Sequence, residues 1–159
     1  MADSPLSSES NGLRMGIFTA VALIVYTGIA ALAGFLDKIE AGALDLIILA
    51  VGVVMAIKRL KAAHGNRLSY MQGFGTGIIT ALAASVLLAA FVWILGGLSQ
   101  GVMGSVERIQ ARDLFGNDLG VLIGGLGIIL LGTMTGVIIS LVAMQYYKSP
   151  DHQPITSLD

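Results

Sequence analysis

From Ser69 to Val106 the chain carries no charged residue, and the stretches Met15–Leu36 and Leu119–Tyr147 are equally free of charge. An uncharged run of about 20 apolar residues is long enough for a helix to cross a hydrocarbon core of about 30 Å. Only helices and closed barrels satisfy all their backbone hydrogen bonds in lipid. Runs of this length are read as helices, at about 1.5 Å per residue. The composition agrees: 55% of the 159 residues are hydrophobic and 12% charged, with a mean hydropathy of +0.85. A soluble domain has about twice that share of charge.

The expected fold class is all-α, a polytopic integral membrane protein with four transmembrane helices near 15–36, 38–60, 70–98 and 119–147. A short polar outer segment, 99–118, joins the third helix to the fourth. Together they make one domain, 14–148, between polar tails expected to be disordered at 1–13 and 149–159. The first span competes with a signal peptide, since Ala31-Leu32-Ala33 has the form of a cleavage site. Its leader is not basic and its apolar part is long for a signal core, which favours a span. Asp37 and Glu40 have capping-box spacing at the start of the second helix, as do Ser69 and Gln72 before the third. In 99–118, Met103, Val106 and Ile109 recur every third residue. That suits a helix lying in the interface, and an ordinary solvated loop equally well.

Lys58, Arg59, Lys61, His64 and Arg67 form the densest basic cluster. If their loop is cytoplasmic, four spans put both termini inside. The inner side then holds six Lys and Arg (Arg14, Lys58, Arg59, Lys61, Arg67, Lys148) against three outside (Lys38, Arg108, Arg112). Tyr70, Tyr146 and Tyr147 fall at the inner interface and Trp93 toward the outer one, as interfacial aromatics do.

Lipid is as apolar as leucine, so helices in a membrane join through close backbone approach, which small residues permit. The third helix carries Gly73, Gly77, Ala81, Ser85 and Ala89 at intervals of four. The fourth carries Gly120 and Gly124, then, past Ile128, Gly132, Gly136 and Ser140. These ladders suit either packing of the third helix on the fourth, which is preferred because the bundle must first pack itself, or a dimer or partner face. In the antiparallel arrangement, Gly77, Ala81 and Ser85 are expected to contact Gly132, Gly136 or neighbouring small positions, with Ala81 and Ser85 level with Gly132 and Thr133.

The stretch His64-Gly65-Asn66-Arg67-Leu68-Ser69-Tyr70-Met71-Gln72-Gly73-Phe74-Gly75-Thr76-Gly77, with Gly136–Ala143 at the end of the last helix, resembles a family of small bacterial four-helix membrane proteins catalogued as domain of unknown function 4199. The resemblance runs over about 12–148. It rests on a hydrophobic-Ser-aromatic start to the third helix, followed by Phe74 and Gly77. Gln72 and Gly75 stand where many relatives would carry a charge. It implies a four-helix architecture and a bacterial cytoplasmic membrane, and no activity. Within the motif Ser69 and Gln72 also read as caps, and Tyr70 and Phe74 as interfacial anchors.

Several chemistries are disfavoured. Cysteine is absent, which removes thiolate sites and disulfides. His64 and His152 are far apart, without metal-ligand spacing. No basic run with interleaved aromatics suggests nucleic acid. The span centres hold hydroxyls such as Thr19, Tyr26, Thr27, Thr80, Ser85, Thr133, Thr135 and Ser140 but no paired acids or histidines. An enzyme is therefore not expected, nor a cofactor. The functional expectation is an accessory protein whose partners are the bilayer and a second copy or another membrane protein. The alternative is a small transporter or channel subunit for a neutral or lipophilic solute.

Overall fold

The computed structural model describes residues 7–34, 39–65, 68–98 and 117–147. It is all-helical over these residues, with α1 (Ser8–Ala33), α2 (Ile39–Ala63), α3 (Tyr70–Leu98) and α4 (Asn117–Tyr147). Asp37, the tail beyond Tyr147 and the linker 99–116 lie outside the described residues.

α1 begins well before the expected Met15. The Ser7 hydroxyl accepts a hydrogen bond from the Ser10 N–H at 3.1 Å, occupying an amide that the first turn leaves free. Glu9 in that turn complements the positive end of the helix dipole. The 1–13 tail is thus corrected: residues from Ser8 onward are helix, and polar Asn11 is fully buried. Its amide Nδ2 donates to the Ala56 carbonyl of α2 at 2.9 Å. A polar residue can open a membrane helix when another helix supplies its partner. At the far end, Gly34 takes the left-handed conformation, φ 69°, and its N–H caps Ala30 and Ala31.

α2 runs one turn past the expected Leu60 and closes at Gly65, φ 60°. The His64 ring Nδ1 lies 3.0 Å from the Leu60 carbonyl. α3 starts directly after Ser69, whose carbonyl accepts from Gly73 N–H at 3.1 Å. α4 starts at Asn117, two residues before the expected Leu119.

The helices alternate in direction. Thr76 near the start of α3 donates to the Ser8 carbonyl at the start of α1 (3.1 Å). Asn11 of α1 reaches the C-terminal half of α2. Lys61, near the end of α2, donates to the carbonyl of Tyr147 at the end of α4 (3.0 Å). One end of the bundle therefore gathers the starts of α1 and α3 and the ends of α2 and α4.

α3 touches all three other helices, most extensively α1 and α4, and α2 also contacts each of the others. The core lies between them: Leu23 of α1, Leu49, Val53, Ile57 and Leu60 of α2, Ala81 and Ala84 of α3, Ala143 and Met144 of α4.

The outside is apolar. Leu131 and Ile138 are 65% and 61% exposed, and α1 turns Val21, Val25 and Ile29 outward. Such a continuous surface is unfavourable in water and natural in lipid. Ser8–Ala33, Tyr70–Ile94 and Leu122–Tyr147 are each long and apolar enough to cross a membrane. α2 differs in carrying Asp45 near one end and Lys58, Arg59 and Lys61 at the other.

Replacing Asn11 with Ala removes the α1–α2 hydrogen bond and the packing around it. The expected loss is about 1 kcal/mol, within the range for interhelical hydrogen bonds in membranes. It is read as a lower melting temperature in detergent, with Leu13→Ala on the exposed face as the unchanged control.

Candidate functional site

The small residues of α3 meet α4 in an antiparallel register. A Cβ at Gly73 would meet the Met144 side chain, and one at Gly77 would meet Ser140 and lie 3.2 Å from Val53 Cγ1 of α2. A Cβ at Gly136 would meet Ala81, and one at Gly132 would meet Ser85. Ala81 thus lies level with Gly136, one turn from the expected Gly132, and Ser85 takes the place opposite Gly132. Continuing that register puts Ala89, fully buried, level with Ile128. The residue that interrupts the ladder on α4 is therefore matched by a small one on α3.

Toward the other end the relation inverts. The Trp93 indole of α3 occupies the space over Gly125, where a Cβ would overlap it. The expected ladder position there was Gly124, which is half-buried, whereas Gly125 is buried. A step of seven from Gly132 to Gly125 keeps the same helix face, as a step of eight to Gly124 does less well. Gly120 belongs to α4, and its surroundings are not among those described.

A second ladder, missed in the sequence, joins α1 to α3. A Cβ at Gly12 would lie 3.0 Å from the Ile79 Cβ and from the Thr76 carbonyl oxygen. One at Gly16 would lie 2.6 Å from Ala83 Cβ and 2.9 Å from the Thr80 carbonyl oxygen. The Thr80 hydroxyl lies 3.2 Å from the Gly12 carbonyl and 2.8 Å from that of Thr76, sharing its proton between the two helices. Pairs 8–76 and 12–80 keep a constant offset, so these two helices run parallel. The signal was present: Gly12, Gly16 and Ala20 recur at the same interval of four. Assigning the first of them to a polar tail hid it. A third close approach puts Gly52 of α2 under the Thr19 side chain of α1.

The hydroxyls along these seams bond mainly to their own helices. Thr19 donates to Met15, Ser85 to Ala81 and Ser140 to Gly136, at 2.8, 2.8 and 2.7 Å. Each carbonyl lies four residues earlier, which satisfies the hydroxyl without a ligand. Among the described residues, Asn11 Oδ1, Thr27 Oγ1, Thr133 Oγ1 and Asp45 Oδ1 are buried and lack a hydrogen-bond partner.

Of the motif at the start of α3, Ser69 and Gln72 are exposed. Tyr70 and Phe74 stack with their centroids 6.1 Å apart, and Phe74 packs on the core. At the same end Lys58 and Lys61 each stand 5.8 Å from the centre of the Tyr147 ring. Two apolar grooves flank α2. One, of about 500 Å³, lies between α1 and α2 and reaches from Ile47 to Arg59. The other, of about 340 Å³, lies between α2 and α4 and ends at Tyr147. Among the described residues no group of three His, Asp or Glu could hold a metal ion.

The family model described as a protein of unknown function, DUF4199, matches residues 14–114, well over half of the chain. The chain belongs to this family. The match takes in α1 from Arg14 onward, α2 and α3, so it includes the Gly16 contact and the whole small-residue face of α3. The α4 side of that seam lies beyond it. No curated protein and no solved structure matches the chain.

Gly75 and Gly77 lie on the same helix, yet a Cβ at Gly75 would meet nothing within 4 Å, whereas one at Gly77 meets Ser140. Gly77→Ala should therefore cost about 1–3 kcal/mol through overpacking, and Gly75→Ala should be neutral or slightly stabilising through helix propensity. Thermal unfolding in detergent compares them. Cysteines introduced at Ser85 and Gly132 should crosslink within one chain; crosslinks forming solely between chains would assign the seam to a dimer.

Proposed function

We propose that this membrane protein of unknown function works by binding partners in the bilayer, as an accessory component of a bacterial cytoplasmic membrane, and not by catalysis. The reading takes α2 as a fourth span, with both termini and the 58–68 loop on the cytoplasmic side. The basic cluster and the alternation of the helices support that orientation. Its polar outer segment is 99–118.

The observation that carries the accessory reading is the closure of the seams along α3. Where α1 and α4 approach it, the space is taken up by Ile79, Ala83, Ser140, Ala81 and Ser85, with no room for an added methyl group. The Ser85 and Ser140 hydroxyls there are bonded to their own helices, and those of Thr76 and Thr80 reach carbonyls of α1. A solute path needs polar groups left for the solute, or helices that break to expose backbone. α3 and α4 run unbroken through their glycines. A bundle so filled is suited to presenting its outer surface to a partner, either another membrane protein or a second copy.

A second reading, a small transporter for a neutral or lipophilic solute, draws on Asp45. One of its carboxylate oxygens is buried without a hydrogen-bond partner among the described residues, and Tyr26 of α1 lies within reach of its charge. Acids in spans more often serve function than packing.

Two measurements test these readings. Reporter fusions at the C-terminus should report the cytoplasm and those within 105–115 the opposite side; a C-terminal fusion reporting outside would overturn the orientation. In proteoliposomes, uptake of small neutral solutes should match that of empty vesicles. A saturable uptake abolished by Asp45→Asn, with the protein still folded and abundant, would replace the accessory reading with transport.

A further inference from the structure

The groove between α1 and α2 combines two features that belong together on a lipid. Phe18 and Ala22 of α1 and Ile47, Val51 and Met55 of α2 line it with hydrocarbon, and Arg59 closes one end. Gly52 and Thr19 meet beneath it, so it has a floor. From Ile47 to Arg59 α2 advances about 18 Å, at 1.5 Å per residue. That is a little more than one leaflet of a hydrocarbon core about 30 Å thick. Its volume of about 500 Å³ lies in the range of small-molecule sites.

The charged end is distinctive. The Arg59 guanidinium donates toward the Met15 sulfur at 3.8 Å, and a thioether is a weak acceptor. Guanidinium has five donors in a planar fork suited to phosphate. Arg14, next to Met15, is exposed at the same level, and Lys58 and Lys61 follow on α2. Lys61 is engaged by the Tyr147 carbonyl. Among the described residues, Arg59 is therefore the cation at this end that combines an apolar groove with a weak partner of its own. Basic pockets between spans on the cytoplasmic side suit anionic headgroups.

We propose that the α1–α2 groove is a binding site for an anionic glycerophospholipid, with one acyl chain lying along Phe18, Val51 and Met55 and the phosphate held by Arg59. The site does not depend on which partners the protein has. It rests on the helices being embedded in lipid, and a chain that stays in solution without detergent would remove that premise by itself.

The test uses the full chain purified in mild detergent, incubated with equal amounts of phosphatidylglycerol and phosphatidylcholine of matched chains, and examined by native mass spectrometry. Both headgroups offer Arg59 a phosphate, but the choline cation cancels the charge of one, so wild type should retain phosphatidylglycerol in preference by roughly fivefold, the factor for about 1 kcal/mol per basic residue near an anionic lipid. Arg59→Gln should abolish the preference. Lys58→Gln removes an equal charge outside the groove and should leave most of it. Val51→Trp, at an exposed position that lines the groove, should reduce retention of both lipids. An unchanged preference in Arg59→Gln overturns the proposal, and so does an equal loss in Lys58→Gln, which would mean diffuse surface attraction. Full retention by Val51→Trp overturns the acyl seat. Crosslinking of Val51→Cys between chains would give the groove to a second copy instead.

Discussion

Everything in this fold depends on how closely a helix can approach α3. In lipid, burying a leucine against another helix returns little, because hydrocarbon surrounds it either way. What remains is contact between atoms, about 0.1–0.2 kcal/mol for each well-placed pair. Contacts multiply when backbones come near, and backbones come near where the side chains between them are hydrogen, methyl or hydroxymethyl. α3 meets that condition toward α4 with Gly73, Gly77, Ala81 and Ser85, and toward α1 it is met by Gly12 and Gly16 of α1 opposite Thr76, Thr80 and Ala83. Two helices are seated on it in opposite directions, and α2 completes the bundle by touching all three.

The polar groups are arranged to make that closeness tolerable. Thr19, Thr80, Ser85 and Ser140 would be costly if left bare in hydrocarbon. Each returns its proton to a carbonyl four residues back, so small polar residues serve as compact spacers. Four hydrogen bonds that cross between helices lie at the basic end: Thr76 to Ser8, Thr80 to Gly12, Asn11 to Ala56 and Lys61 to Tyr147. That end is thereby tied together by directed contacts, and at the other end an indole is seated over Gly125.

The helices and their approximate ends were legible because charge-free runs are unambiguous in a sequence of this kind. α3 was read as 70–98 and is Tyr70–Leu98. The α4 ladder from Gly132 to Ser140 was legible for a related reason, since an interval of four defines a face. The level of Ala81, which faces Gly136 and not Gly132, was not, because loop length sets the register and residues 99–118 carry no periodic constraint strong enough to fix it. Gly125 was passed over for Gly124, where strict fours cease to follow a straight face. The start of α1 failed for a different cause. Ser8, Glu9, Ser10 and Asn11 look solvated by composition, and only a neighbouring helix, folded back from forty-five residues away, supplies the Ala56 carbonyl that lets Asn11 be buried. The grooves beside α2 were also invisible, since they arise between helices whose apolar residues look alike in sequence.

The claim that small-residue contact seats α4 on α3 has a direct test in a reciprocal exchange. Gly136→Ala adds a methyl group where Ala81 already stands, and Ala81→Gly removes that obstacle. Each single change should lower the melting temperature in detergent, the first by overpacking and the second by lost contact and helix propensity. If the two residues touch, the double variant should be more stable than the summed losses by at least about 0.5 kcal/mol, the coupling expected of neighbours. Losses that simply add would mean that α3 and α4 do not meet there, and the account of the bundle would be wrong.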